Sequence, residues 1–401
     1  MRALFLLLAL LAIGQSSLAL DQEKTDKLTQ ALGKLCKGGT IKGFAVAVVN
    51  PDSLIYANGF GYANVDEGTL YTPNTIQPIA SVSKLFIGAS LMKAQELGLL
   101  RLDDDVNKYL PFKLVNPHHP NEIITLRQLA MHTSGIKDTK NYEKTYVFDE
   151  TIPPIYKSEP IGAKRILMKQ YVDLYNSNTR MPMVEFLKRI YCSDGEWYDK
   201  DCFSKDKPGA HYEYSNCGAA LAALAIEGAS HMKYSSFVQA NIINPLGIQN
   251  TGWAMNQFDA NEKASLYLSG TQIPTYELIT YPDGGFATSI VEFSKFFRAA
   301  MQGYTGRKNI LSPASYREML SAQPASHSEN GIFWEVKPKV IGHSGADPGV
   351  RTLAYFYKET LTGYLLFFNT SDTKTISTEI NEIFKLLKDA YQPATAAQEV
   401  H

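Results

Sequence analysis

Residues 43–64, GFAVAVVNPDSLIYANGFGYAN, form two runs rich in β-branched and aromatic residues. They are split at Asn50-Pro51-Asp52, residue types that favour a turn, so a β-hairpin is expected. Before it, QEKTDKLTQALGKLC has helical spacing. Residues 81–98 form a mostly apolar helix. In ITLRQLAMHTSG (124–135), Thr125 and Gln128 make a capping box that opens a second helix, and Gly135 is expected to end it. Residues 137–210 are polar, Tyr-rich and punctuated by Pro, with helical pieces near 161–175 and 182–191. CGAALAALAIEGAS (217–230) is apolar on nearly all sides and therefore reads as a buried helix. The last third returns to β character in VIGHSG, VRTLAYFY and GYLLFFN, the last two joined at KETLT. A final amphipathic helix, TISTEINEIFKLLKDAY, precedes the polar tail PATAAQEVH.

Strands at both ends with helices between predict an α+β chain. One sheet is built from the two termini, at about 20–98 and 285–392, and a helical lobe, about 99–284, is inserted between them. The 401 residues and 45% hydrophobic content suffice for a sizeable core. Lys and Arg (39) nearly balance Asp and Glu (40), without a basic block, so nucleic acid is excluded as a partner. The same balance gives no electrostatic basis for binding an anionic membrane.

MRALFLLLALLAIGQSSLA, residues 1–19, has one Arg, a short apolar run and a small-x-small end at Ser17-Leu18-Ala19. This is a signal-peptide pattern, so the chain is expected to be exported, to the periplasm or medium. No later segment approaches 18 unbroken apolar residues, and no transmembrane anchor is expected in the mature chain. Residues 393–401 are expected to be a flexible tail. Cys36, Cys192, Cys202 and Cys217 include no CxxC and no zinc-like spacing, so no metal site is expected. Cys192 and Cys202 flank the polar loop SDGEWYDKD. In an oxidising compartment they are natural disulfide partners, and closing that loop would add about 2.5–3 kcal/mol. Two free thiols are the other outcome, and the pairing of Cys36 and Cys217 stays open.

Six Ser-x-x-Lys tetrads begin at Ser81, Ser90, Ser134, Ser204, Ser230 and Ser371. Ser204 lies in a charged loop, and Ser371 reads as a cap of the last helix. Ser134 sits in a turn, Ser90 in mid-helix, and Ser230 at a helix end. Only the first pairs a helix start with an apolar first turn. There Lys84 would sit among Val82, Leu85, Phe86 and Ile87, where a buried ammonium without a partner lowers its pKa and becomes a usable base. Residues three apart share a helix face, so Lys84 reaches the Ser81 hydroxyl, and free N–H groups at the helix start favour a developing oxyanion. The plain alternative is a capping serine beside a snorkelling lysine. Tyr214-Ser215-Asn216, before the buried helix, reads either as an N-cap or as a proton-carrying phenol with a substrate-orienting amide. His343-Ser344-Gly345 alone reads as a turn. Gly342 to Ala346 also resembles a Gly-x-Ser-x-Gly elbow, but Ala-Asp-Pro-Gly is a poor helix start and only His401 follows.

Together these residues resemble the serine β-lactamase-like hydrolases: class C β-lactamases, D-Ala-D-Ala carboxypeptidases, and their esterase and D-aminopeptidase relatives. The motifs occur in order as Ser81-Val82-Ser83-Lys84, Tyr214-Ser215-Asn216 and His343-Ser344-Gly345. LGLLRLDDDVNKYLP, ITLRQLAMHTSG, NPLGIQNTGW and PDGGFATSIVEFSKF match as well, so the likeness runs from about residue 40 to 370. The resemblance implies an antiparallel sheet flanked by helices, with the active site between sheet and helical lobe. Ser81 would form an acyl-enzyme with an amide, lactam or ester, and Lys84 and Tyr214 would move protons. Asn216, His343 and Gly345 would hold substrate, and the Ser81 and Ala346 backbone N–H groups would form the oxyanion hole. No cofactor is implied. The substrate would be a small molecule or a peptide, cell-wall peptide among them. His343 stands where class C β-lactamases carry Lys, so weak or absent β-lactamase activity is expected; the histidine is expected to be mostly neutral above pH 7 and able to titrate. The 137–210 stretch is expected to overhang the cleft. A silent relative that binds cell-wall peptide or a partner protein is the competing function, against which the intact Ser81, Lys84 and Tyr214 argue.

Overall fold

The computed structural model describes residues 23–36, 40–322, 329–371 and 376–391. The expected signal peptide and C-terminal tail lie outside the described residues. The expected hairpin forms as β1 (Gly43–Val49) and β2 (Leu54–Asn64), extended by β3 (Thr69–Leu70). From the C-terminal third come β4 (Glu335–Val336), β5 (Val340–Asp347), β6 (Val350–Tyr357) and β7 (Gly363–Phe368). They join in one sheet of order β4-β5-β6-β7-β1-β2-β3, antiparallel at every pairing. The two chain ends meet at β1 and β7, where Val46 lies opposite Leu366.

Every residue of β1 is buried, because helices cover both faces of the sheet. Alternation sends Ala45, Ala47 and Val49 into the larger core. Phe44, Val46 and Val48 face the other way, onto Leu28 and Leu32 of helix α1 (residues 23–36) and Ile376, Ile383 and Leu387 of the C-terminal helix. Leu365 and Phe367 of β7 divide from Leu366 and Phe368 in the same manner. At about 1.5–3 kcal/mol for each fully buried large apolar side chain, these two cores hold the sheet rigid between its helical layers.

Helices α2 (Lys84–Glu96), α3 (Leu126–Ala130), α4 (Ala163–Tyr175), α5 (Met183–Tyr191) and α6 (Asn216–Ser230) occupy the middle of the chain. The buried helices α2 and α6 pack on each other. The Thr125–Gln128 capping box forms, but α3 ends at Ala130 rather than near Gly135. Its carbonyls are taken over by the loop: Phe333 N–H donates to Ala130 O at 2.9 Å, and His132 adopts φ +56°. His343-Ser344-Gly345 is a stretch of strand β5, not a turn. Ser371 lies in a short strand and accepts from Gly349 N–H at 2.7 Å instead of capping the last helix.

The expected Cys192–Cys202 bridge does not form, and all four cysteines are free thiols. Cys192 Sγ faces the carbonyl of Lys113 and Cys202 Sγ that of Ile190, so the two sulfurs are directed at different partners. Among the described residues no helix is long and apolar enough to cross a membrane.

Candidate active site

Gln77-Pro78 pairs with Ala287-Thr288, and the chain then turns tightly through Ala80–Ser83 before α2 begins at Lys84. Ala80 takes φ +48°, a region that costs a residue with a Cβ about 1–3 kcal/mol and persists only when neighbours enforce it. Three bonds do so. Thr352 Oγ1 donates to Ile79 O at 2.8 Å. Ile79 N–H donates to Phe286 O at 2.9 Å, and Phe286 N–H donates to Ser83 Oγ at 3.2 Å. Gly345 makes the close approach possible: a Cβ there would lie 2.7 Å from Ile79 O and 3.0 Å from Ala80 Cβ. Strand β5 is thereby held against the turn. Ser81, Gly345 and Ala346 line one cavity of about 490 Å³ with Tyr214, Asn216 and His343.

Lys84 is completely buried. Its Nζ donates to Ser81 Oγ at 3.1 Å, Asn216 Oδ1 at 2.7 Å and Asp283 O at 2.8 Å. The expectation of a lowered pKa is corrected by these surroundings. Burial pushes the ammonium down, but Tyr214, Asp283 and Asp347 together outweigh it and hold the amine above its ordinary value. At neutral pH Lys84 is therefore a cation with all three protons donated.

Tyr214 stands beside this pair, its ring 5.1 Å from Lys84 Nζ. Burial raises its phenol, while Lys84 and Ser81 pull the other way without cancelling the rise. Its buried hydroxyl makes no hydrogen bond of regular geometry, so it is not committed to a structural partner. His132, 4.4 Å away between ring centroids, backs the Tyr214 ring, and its Nδ1 accepts from Ser215 N–H at 3.2 Å. His343 donates from Nδ1 to the Ser344 carbonyl at 2.5 Å, which leaves Nε2 as an acceptor. Burial, with Lys84 adding, lowers it to about 4. The expected titration is thus corrected: His343 is neutral throughout the physiological range.

Ser215 is the N-cap of α6, accepting from Gly218 N–H at 2.9 Å, and Asn216 still faces Lys84. Capping and site-building are both satisfied because of Asp138, which sequence reasoning missed. Its carboxylate accepts from Ser215 Oγ (2.8 Å), Asn216 N–H (2.8 Å), Asn216 Nδ2 (2.9 Å) and Cys217 N–H (3.0 Å). The negative charge sits at the positive end of a buried helix and fixes which end of the Asn216 amide faces Lys84. Asp138→Asn puts an amide against these donors. It should lower stability by about 1–3 kcal/mol and reduce turnover along with it. Thermal unfolding and kcat/KM on one preparation check both, and an unchanged melting temperature would contradict the assignment.

Two more carboxyls come from loops. Asp283 is 1% exposed; its Oδ1 accepts from Tyr142 OH at 3.1 Å and its Oδ2 has no partner. Asp347, reached by solvent at its edge but with Oδ2 buried and unpartnered, accepts from Tyr146 OH at 2.6 Å. Burial first, then neighbouring carboxylates, raises each to about 7 against the opposing pull of Lys84. Folding thus favours the protonated acids. Their contribution is complete below pH 4 and is lost as pH rises through about 7, by up to about 1.4 kcal/mol per pH unit for each group. The melting temperature of Asp283→Asn should therefore fall less than that of the wild type between pH 5 and 8. Parallel curves would contradict this.

Tyr142 and Tyr146 belong to the 137–210 stretch, which does reach the site. Asp283 and Asp347 lie within motif text, in PDGG and GADPG, and Asp138 three residues past ITLRQLAMHTSG, but a loop carboxylate in a sequence looks exposed. Cys217 follows Asn216 but is wholly buried, and burial holds its thiol well above its ordinary value, so it is no competing nucleophile. No group of His, Cys, Asp and Glu able to hold a metal ion occurs among the described residues. A separate cavity of about 850 Å³ near Trp253 and Tyr281 contains none of the three motifs.

A family model described as Beta-lactamase matches residues 26–383. The chain belongs to the β-lactamase family. Protein flp of Staphylococcus aureus strain MRSA252 is 24% identical over 314 residues, 77% of this chain. This chain spans only 55% of that protein's length. Penicillin-binding protein 4* of Bacillus subtilis strain 168 is 25% identical over 361 residues, covering 84% of this chain and 70% of that one. The octameric penicillin-binding protein homologue from Pyrococcus abyssi superposes with a TM-score of 0.68 at 22% identity, covering 90% of this chain and 77% of that one. The D-amino acid amidase of Ochrobactrum anthropi SV3, complexed with L-phenylalanine amide, gives 0.64 at 19% identity, over 91% and 99%. The β-lactamase-family fold, an antiparallel sheet flanked by helices, is the one described above.

Proposed function

We propose that the protein is an exported serine hydrolase that forms an acyl-enzyme on Ser81 and hydrolyses an amide, lactam or ester. The observation that carries this reading is the wholly buried Lys84 donating to Ser81 Oγ at 3.1 Å, a polar pair that a core helix has no packing reason to hold. Ser81 attacks the carbonyl, and the oxygen that becomes anionic is received by the backbone N–H groups of Ser81 and Ala346. Tyr214, a neutral phenol next to the ammonium, relays the proton: its oxygen accepts the Ser81 proton as its own proton passes to the leaving group, so the phenol is restored. The Lys84 cation stabilises the negative charge that develops on the phenol oxygen during the relay, and Asn216, oriented by Asp138, holds the substrate. Water then releases the acyl group by the reverse transfers.

The neutral His343 offers no positive charge to a substrate carboxylate. Esterase-type turnover of substrates without a carboxylate is therefore favoured over efficient β-lactam hydrolysis; carboxypeptidase-type turnover of cell-wall peptide, whose C-terminal carboxylate meets the same neutral group, is the second candidate. Export rests on the pattern of residues 1–19. A panel of nitrocefin, a D-Ala-D-Ala peptide, a D-amino acid amide and p-nitrophenyl acetate tests the reading. Ser81-dependent turnover of an ester or amide, with nitrocefin slowest, is expected. No Ser81-dependent turnover of any member would count against it and favour the silent binder.

A further inference from the structure

A second chamber opens beside the candidate active site. It measures about 280 Å³, and it shares Tyr146, Ala346, Asp347 and Arg351 with the cavity around Ser81. Its walls are mainly apolar, with Ile152, Ile155, Met168 and Val172 all buried. All four belong to the 137–210 stretch, Met168 and Val172 on α4. On the α4 side two polar pairs are closed on themselves, while Arg351 and the unpartnered Oδ2 of Asp347 lie at the border shared with the Ser81 cavity. Tyr175 OH donates to Glu143 Oε2 at 2.7 Å, and Tyr146 OH to Asp347 Oδ1 at 2.6 Å. The inner, α4 side of the chamber therefore suits an uncharged group, with the charged side chains at the border toward Ser81, and the space lies where a substrate would extend.

The position along β5 says which part of the substrate that is. The leaving group must collect its proton from Tyr214, whose ring is 6.3 Å from that of His343. It therefore lies at the His343 end of the strand. With the carbonyl oxygen at Ala346, the acyl portion runs the other way, toward Asp347 and Pro348, which border the chamber. At ~30 Å³ per water-sized group, the chamber takes an aryl or branched alkyl group. The neighbouring cavity of about 580 Å³ beside Asn216 is lined in part by Asp138, Lys140 and Gln170 and suits such a group less well.

We propose that this chamber is the acyl-side specificity pocket of the enzyme, built by the 137–210 stretch to take a bulky apolar group on the acyl carbon. Its preferred substrates are amides or esters of arylacetyl, aryl-bearing amino acid or branched aliphatic acids. The inference rests on the serine-hydrolase reading above. It adds that α4 and residues 146–155, rather than the three motifs, choose among acyl groups. Desolvating a group of this size inside an apolar wall gives discrimination of one to two orders of magnitude over acetyl.

The test compares kcat/KM for p-nitrophenyl acetate, 2-methylbutyrate and phenylacetate, each corrected for the rate with Ser81→Ala. The wild type should favour phenylacetate over acetate at least tenfold beyond their ratio in alkaline hydrolysis. Met168→Trp, which fills the chamber, should lower that phenylacetate-to-acetate ratio at least tenfold. Val172→Ala, which enlarges it without risk of overpacking, should raise it or move the optimum to a larger acyl group. Equal turnover of all three esters by the wild type would overturn the pocket and leave the hydrolase reading standing. Ratios unmoved in both variants would do the same. No Ser81-dependent turnover of any ester would overturn the hydrolase reading, and the pocket with it.

Discussion

Ser81→Ala is expected to reduce turnover of every substrate to the background rate, a loss of roughly 10⁴-fold or more if Ser81 carries the covalent step. The melting temperature should move by no more than about 2–4 °C, since the one bond lost, from Lys84, faces the open cavity where water takes the place of Ser81 Oγ, and is worth about 1 kcal/mol. This pairing of effects discriminates between roles. Ser81 lines the cavity and receives one hydrogen bond, from Lys84. Lys84 keeps two other acceptors when that oxygen is removed. The turn itself is held by Thr352, Phe286 and Ser83, not by the Ser81 hydroxyl. Activity within tenfold of wild type on a folded protein would contradict the assignment.

Lys84→Met is expected to cut kcat/KM by about 10²–10⁴-fold, the usual scale for a group that governs proton transfer. It should also alter stability more than Ser81→Ala does. Methionine fills similar space but leaves Asn216 Oδ1 and Asp283 O without their donor. It also removes the cation that opposes the rise in the Asp283 and Asp347 pKa values. Both carboxyls should then stay protonated to higher pH than in the wild type, so the fall in stability that starts near pH 4 continues beyond pH 7 and is larger in total. Kinetics and pH-dependent thermal unfolding of the variant check this. Kinetics close to wild type would exclude Lys84 from the proton path.

Much of this was legible in the chain. Runs rich in β-branched and aromatic residues in 43–64 and 350–369 set the hairpin and the β6–β7 pair, because the inner strands β1 and β7, covered on both sides, must be apolar throughout. The apolar first turn around Lys84 singled out one tetrad of six, because a buried ammonium has few structural uses. Sequence reasoning erred where the outcome depended on tertiary neighbours. Lys84 was expected to shed its charge, but buried carboxyls from distant loops retain it. His343 was expected to be mostly neutral above pH 7, and burial in strand β5 extends that neutrality by moving its titration down to about 4. Cys192 and Cys202 are near in sequence, yet their sulfurs point at separate carbonyls. Asp138 was invisible because its four donors come from a helix start 77–79 residues away.

The central claim is that Ser81 is an activated nucleophile, and a fluorophosphonate probe tests it without knowledge of the substrate. Intact mass and peptide mapping of the treated protein, with Ser81→Ala as control, should give one adduct, on Ser81, absent from the variant. An adduct on another residue, or none on folded wild-type protein, would contradict the account.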